Sequence, residues 1–510
     1  MNPTDPSHTR SAVTMRTHKP LHRRLLPWWV VCLFLLAGSP GRATTYYLDA
    51  INGDDHSSGT ELDRPWKTLD RANAARLQAG DRMLLAAGRT FPGQLAFSAL
   101  TGTAEAPILF SSYQPSPITG DARATIDARG YVAAVHLRNS RHVQISDLVV
   151  TADGGGLCPG QPADAKLRCG ILVDADAPGQ YGGFELTNLL VKNVSFEEPG
   201  FVRPVADVNT ANGTLHYGWG IRFRVESDKA RLTDLRVADC QIERIDHTGL
   251  KFTAPSNGIE RVTVQRVRVL HSGGPGVQMS GVHGGLFSEL YVDGSGSTND
   301  SRNWGRGSGL WTWTSSDIVI EHSQFLNAYG PADSAGVHID YNCRNVVVQY
   351  NLSANNPGGF CEVLGNNYNS AYRYNVSVND GCRVKGQSGA LQEGKIFWLS
   401  GFTGKRPQRG PFNTYFYNNT IYTRPNLTAK FAVAPTAQGV LIANNIFCIL
   451  GRSQCVVGDQ FRADSAAVGG LTNVVFENNL FLRADTWPRG VGIRDRSPRT
   501  GDPEFSHRAG

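Results

Sequence analysis

Three segments near the middle of the chain can be written beneath one another: GSGLWTW (307–313), SAGVHID (334–340) and PGGFCEV (357–363). Gly309, Gly336 and Gly358 then share a column at spacings of 27 and 22 residues, and Trp313, Asp340 and Glu362 each follow four residues after their glycine. GCRVKG (381–386) continues the series, with Cys382 beneath Cys361 and Arg383 beneath Glu362. A repeat of this length with one short strand per unit marks a solenoid. No helical period intervenes, so the coils are expected to be β throughout. Strand runs such as HVQISDLVV (142–150), IERVTVQRVRVL (259–270) and NVVVQYNLS (345–353) extend the pattern to roughly a dozen coils.

The repeat has a chemical consequence. Equivalent residues on stacked strands lie about 4.8 Å apart, and side chains alternate between faces. With Ile339 and Cys361 inward, His338, Asp340, Phe360 and Glu362 face outward. Extended along the chain, the outer face reads Arg222/Arg224, Lys251/Thr253, Gln278/Ser280, Trp311/Trp313, His338/Asp340, Phe360/Glu362 and Arg383/Lys385. Cations stand at both ends, with aromatics and carboxylates between. A slip of one residue would turn this face inward.

Asp340 and Glu362 admit three readings. A carboxylate pair about 5 Å apart has the spacing of a retaining glycosidase, and the two pKa values would split into acid and nucleophile. The pair is also a candidate Ca²⁺ site, with Asp380 or Asn342 as further oxygen ligands. Or each carboxylate is neutralised by Arg383 or His338. A lyase acting on a uronate polymer needs other parts: Lys251 or Lys385 as base, and Arg222 or Arg383 on the substrate carboxylate. His338 is a partner of Asp340 or a proton carrier. Trp311, Trp313, Arg222, Arg224 and Gln278 are the expected sugar contacts.

Composition narrows the compartment. Basic residues (Lys19, Arg23, Arg24) precede an apolar run from Leu25 to Ala37, and Gly41-Arg42-Ala43 offers small residues for cleavage, so residues 1–43 read as a signal peptide, with Met1 or Met15 as the start. Residues 1–43 hold six Lys/Arg and one Asp; the remainder carries 44 basic and 43 acidic side chains. That balance gives no footprint for nucleic acid, and no stable membrane span is expected after cleavage. Close cysteine pairs, Cys158 with Cys169 and Cys448 with Cys455, suit an oxidising compartment. Asn351, Asn375, Asn419, Asn445 and Asn479 recur at one point of their strands and are expected to stack as a ladder.

Residues 44–120 read as an N-terminal cap and first coils, with Pro65–Leu77 as one amphipathic helix, and residues 121–510 as the solenoid. The opening YYLDAINGDD…GT…PWKTLDRA…AGDRMLLAAGRTF resembles the N-terminal cap of secreted right-handed parallel β-helix proteins of the pectate-lyase-like superfamily. GVLIANNIFCIL, NVVFENNLFL and GDPEF resemble that group's last coils. The resemblance implies a right-handed parallel β-helix; with the outer face it points to a secreted carbohydrate-active enzyme that cleaves a polysaccharide by hydrolysis, with β-elimination as the alternative, and a monomer is expected. The chondroitinase-B-like lyases of the group use a Lys/Arg pair beside Ca²⁺, but their motif does not match here residue by residue. A non-catalytic glycan-binding solenoid is the reading from another class.

Overall fold

A computed structural model describes residues 43–116, 120–156, 167–210, 217–456, 474–483 and 495–505. The expected leader therefore lies outside the described residues except for Ala43, as does Cys158.

The described residues form three parallel sheets of 14, 12 and 14 strands. Each turn of the chain contributes one strand to each sheet. Ser316–Glu321, Gln324–Leu326 and Ala335–Ile339 make one coil, and Arg344–Gln349 begins the next directly against Ser316–Glu321. Short crossovers between parallel strands take the right-handed path, and the result is a right-handed parallel β-helix. Inward side chains build one apolar column from Leu48 to Phe481, with stacked aromatics such as Phe223 on Phe252 (5.2 Å, 4°).

Two corners explain the sequence pattern. At one, a residue with positive φ (Tyr350, Tyr374, Asn418, Asn444, Asn478) turns the chain, and the next is a buried asparagine. From Asn375 onward each asparagine Oδ1 accepts the backbone N–H of the asparagine one coil back: Asn351 N to Asn375 at 3.0 Å, Asn375 N to Asn419 at 3.1 Å, Asn419 N to Asn445 at 2.9 Å. At the other corner the backbone passes so close to its neighbours that a side chain has no room. A Cβ on Gly309 would lie 2.6 Å from the Gly336 carbonyl and 2.8 Å from the Phe325 ring.

The N-terminal helix is shorter than its sequence implies. It spans Leu69–Asn73, with the Thr68 hydroxyl accepting from Arg71 N. Trp66 is held extended by a bridge to Leu48, and the Asn73 side chain bonds Gln94 O and Ala96 N, so contacts to the first coils end the helix on both sides. Trp66, Leu69 and Ala72 join the interior column.

Candidate active site

The 12-stranded sheet carries one outward column that the pairings fix directly: Arg222, Lys251, Gln278, Trp311, His338, Glu362, Trp398. From Arg222 to His338 this is the expected order. Beyond it the register differs by two residues. Glu362 stands opposite His338, not Asp340, and Gly358 packs against Ser334. The column of Gly309 and Gly336 is taken in the next coil by Phe360, which turns inward against Tyr372 and Phe416. Alignment on glycine alone misplaces a coil whose corner accepts a large residue.

The following strand is Lys395–Leu399, which pairs Cys361 with Phe397 and Glu362 with Trp398. Cys382, Arg383 and Lys385 lie on the segment before it. Cys382 therefore does not stack on Cys361. Lys385 N donates to Glu393 Oε2 at 2.6 Å, outside the column. Arg383 folds back, donating to Gly330 O at 3.1 Å and Ser334 Oγ at 2.7 Å, which brings its charge towards Glu362. Asp380 lies at the next corner, after Val376–Val378, accepting from Asn356 N (2.8 Å) and Ser377 Oγ (2.7 Å), and does not converge with Asp340 and Glu362 on a Ca²⁺ site. Among the described residues no group of three or more His, Cys, Asp or Glu is placed to hold a metal.

A cleft of about 380 Å³ opens over the middle of the column. Lys251, Thr253, Gln278 and Ser280 line one side, Trp311 and Trp313 the middle, and Asp333, His338, Asp340 and Arg306 the other, with Leu364 and Phe402 at the rim. The two tryptophans differ. Trp311 is buried, donates its Nε1–H to Asp340 Oδ2 at 2.8 Å and stacks on His338 (5.7 Å, 9°). Trp313 is 41% exposed and tilts against Tyr341.

Asp333 and Arg306 are the site residues that strand periodicity misses, because both lie on corners. The segments 197–210 and 293–307 pack on each other: Trp304 Nε1 donates to Asp207 O at 3.1 Å, and Arg306 NH1 to Thr210 O at 3.2 Å. Arg306 then reaches Asp333 Oδ2 through Nε at 2.8 Å and through NH2. The only hint in the sequence is an acid seven residues before Asp340 on the same coil.

The cleft aspartates are driven in opposite directions. Burial pushes the Asp340 carboxyl up to about 7, against the nearby His338. Asp333 is also penalised by burial, but the Arg306 charge, then His338, brings it below the ordinary carboxylate value. Glu362 does not line the cleft. Its Oε1 lies 3.5 Å from His338 Nε2, and burial, then the Asp333 charge, raises it to about 8, against Lys395, Arg383 and Arg306. Arg224 is spent within the protein: Asp174 takes its Nε at 2.7 Å and NH2 at 2.9 Å, and Glu226 its NH1 at 2.7 Å.

Fold and site together define a parallel β-helix with an acidic, tryptophan-lined cleft on its outer face. No protein-family model matches the chain. It is 23% identical over 498 residues to the lacto-N-biosidase of Bifidobacterium longum subsp. longum, which covers 81% of this chain and 29% of that protein. The chain thus spans less than a third of that relative. Among solved structures it is similar to the GH136 lacto-N-biosidase from Eubacterium ramulus, as selenomethionine derivative (TM-score 0.55, 21% identity) and as native protein (0.54, 20%), each covering 75% of this chain and 64% of the other. That likeness establishes the β-helix fold. No helix among the described residues is long and apolar enough to cross a membrane.

Proposed function

We propose that this chain is a secreted glycoside hydrolase that cleaves its glycan in the outer cleft of the central coils. The observation that carries the reading is the split between two aspartates in one cleft. A carboxyl held protonated near neutrality beside one held ionised is the division of labour that glycosidic cleavage needs. Asp340 is the general acid, its carboxyl positioned by the Trp311 indole N–H and by Tyr341 N. Asp333 is the ionised partner, nucleophile or base, oriented by Arg306. His338 and Glu362 position this pair rather than react, and Arg383 offsets the Glu362 carboxyl from behind. The relatives named lacto-N-biosidase support a glycosidase, and their name makes a lacto-N-biose-ended oligosaccharide the first substrate to try.

Residues 44–510 should be incubated with neutral and uronate-containing glycans, with and without chelator, and followed for new reducing ends and for the absorbance of an unsaturated uronate. New reducing ends without that absorbance are expected. Both signals together would replace the hydrolase by a lyase, and make Lys251 the residue to change.

Trp313 supplies the exposed ring on which a sugar stacks. Trp313→Ala should therefore raise KM by about tenfold, the loss of roughly 1.4 kcal/mol of stacking and burial, with kcat and melting temperature little changed. An unchanged KM would remove Trp313 from the binding surface.

A further inference from the structure

The cleft does not end at the tryptophans. Away from Trp311, the column passes through Gln278 to Lys251 and then Arg222. The Lys251 ammonium and Arg222 guanidinium stand 4.3 and 4.7 Å from the ring of Trp219. Neither makes a hydrogen bond or ion pair with any described residue. Arg222 Nε, Trp219 Nε1 and Thr253 Oγ1 are buried polar atoms without a partner. Arg224, two residues along the same strand, holds Asp174 and Glu226 directly, and their charges act on Arg222 only from a distance, without a hydrogen bond or ion pair.

Such a wall is costly. Two cations side by side repel, and buried donors without acceptors each lose free energy relative to water. Burial and then the Arg222 charge push the Lys251 ammonium well below its ordinary value. An anion held between Lys251 and Arg222 would offset their mutual repulsion and give the Arg222 guanidinium an acceptor, with the Trp219 ring beneath both cations. Lys251 lies three strands from His338, about 14 Å at the usual interstrand spacing, so the anion sits beyond the ring at the scissile bond.

We propose that Lys251, Arg222 and Trp219 form a subsite for an anionic substituent, carboxylate or sulfate, so that the substrate is an acidic glycan. This rests on the cleft being the glycan site.

The test uses residues 44–510 carrying Asp340→Asn, so that bound ligand is not consumed. Affinities are measured by calorimetry for neutral, carboxylate-bearing and sulfated forms of a lacto-N-biose-ended oligosaccharide, and for uronate oligosaccharides with and without carboxyl reduction. The acidic forms should bind roughly tenfold to a hundredfold more tightly than their neutral counterparts, the range expected of charge-assisted hydrogen bonds. The carboxylate and sulfate arms identify which anion is taken. Lys251→Met and Arg222→Met should each reduce the preference, while Lys251→Arg should keep it, which separates lost charge from lost folding. Equal binding of acidic and neutral forms, or a preference that survives in the double variant, overturns the proposal. Selective binding with no turnover of any ligand by the unsubstituted chain would uphold the subsite and sink the hydrolase. Turnover of neutral glycans with no acidic preference would do the reverse.

Discussion

Asp340→Asn should lower kcat/KM by about 10²–10⁴-fold, the usual contribution of a positioned general acid, with little change in melting temperature. The amide keeps the shape of the carboxyl and an oxygen for the Trp311 indole N–H, giving up only the acceptor for Tyr341 N, so the cleft should stay assembled. What it loses is the proton. Burial keeps that proton on Asp340 up to about pH 7, so the acid form is complete well below that value and disappears as pH rises through it. The pH dependence of kcat/KM should therefore fall on its alkaline side near pH 7, while the acid limb lies below the ordinary aspartate range, because Arg306 keeps Asp333 ionised. Asp333→Asn should be equally inactive but less stable. It leaves Arg306 buried opposite a neutral amide, and breaking a buried pair costs about 3–5 kcal/mol, less here because the Thr210 carbonyl remains. His338 and Glu362 crowd the same charges, so the limbs report the group and not one residue. An Asp340→Asn enzyme within tenfold of the parent, or a flat profile from pH 5 to 9, would remove Asp340 from the role.

Much of this is legible in the sequence. The strand spacing and the asparagine column are set coil by coil, by rules that act over one turn of chain. They give the solenoid, and they place Lys251, Gln278, Trp311, Trp313, His338 and Asp340 on one face in the right order. What escaped depends on corners. Asp333 and Arg306 meet because two irregular segments, 197–210 and 293–307, pack on one another, and no periodicity describes them. Glu362 was paired with Asp340 because the glycines of GVHID and GGFCEV invite alignment, whereas Phe360 fills that corner and moves Glu362 opposite His338. KIFWL (395–399) falls outside the glycine repeat, yet it is the next strand, and it displaces Arg383 and Lys385 from the column. A repeat thus tells which residues share a face more surely than which of them touch.

Asn419→Leu should cost about 3–6 kcal/mol, the sum of several buried hydrogen bonds lost at one point, with a leucine of the same branching and larger volume leaving no cavity. Asn419 accepts the backbone N–H of Asn375 at 3.1 Å and its Nδ2 at 3.0 Å, and donates from its own Nδ2 to Tyr372 O at 2.9 Å and Asn445 Oδ1 at 3.1 Å. Leucine replaces none of these. It strands a buried backbone N–H and reduces the partners of a buried carbonyl, which is far worse than removing both sides of a bond. Tyr415→Thr, on the exposed side of the same coil, should shift stability by no more than about 0.5 kcal/mol. The two variants can be compared by urea unfolding. Because each coil contacts only its neighbours, the loss should stay local. Asn419 lies in the coil after Lys395–Leu399, two coils beyond Glu362, so the folded fraction of Asn419→Leu should keep the parent kcat/KM. An Asn419→Leu protein as stable as the parent would mean that the ladder follows from the coil geometry and does not hold it; a stable protein with lost turnover would mean that the corner and the cleft are one cooperative unit.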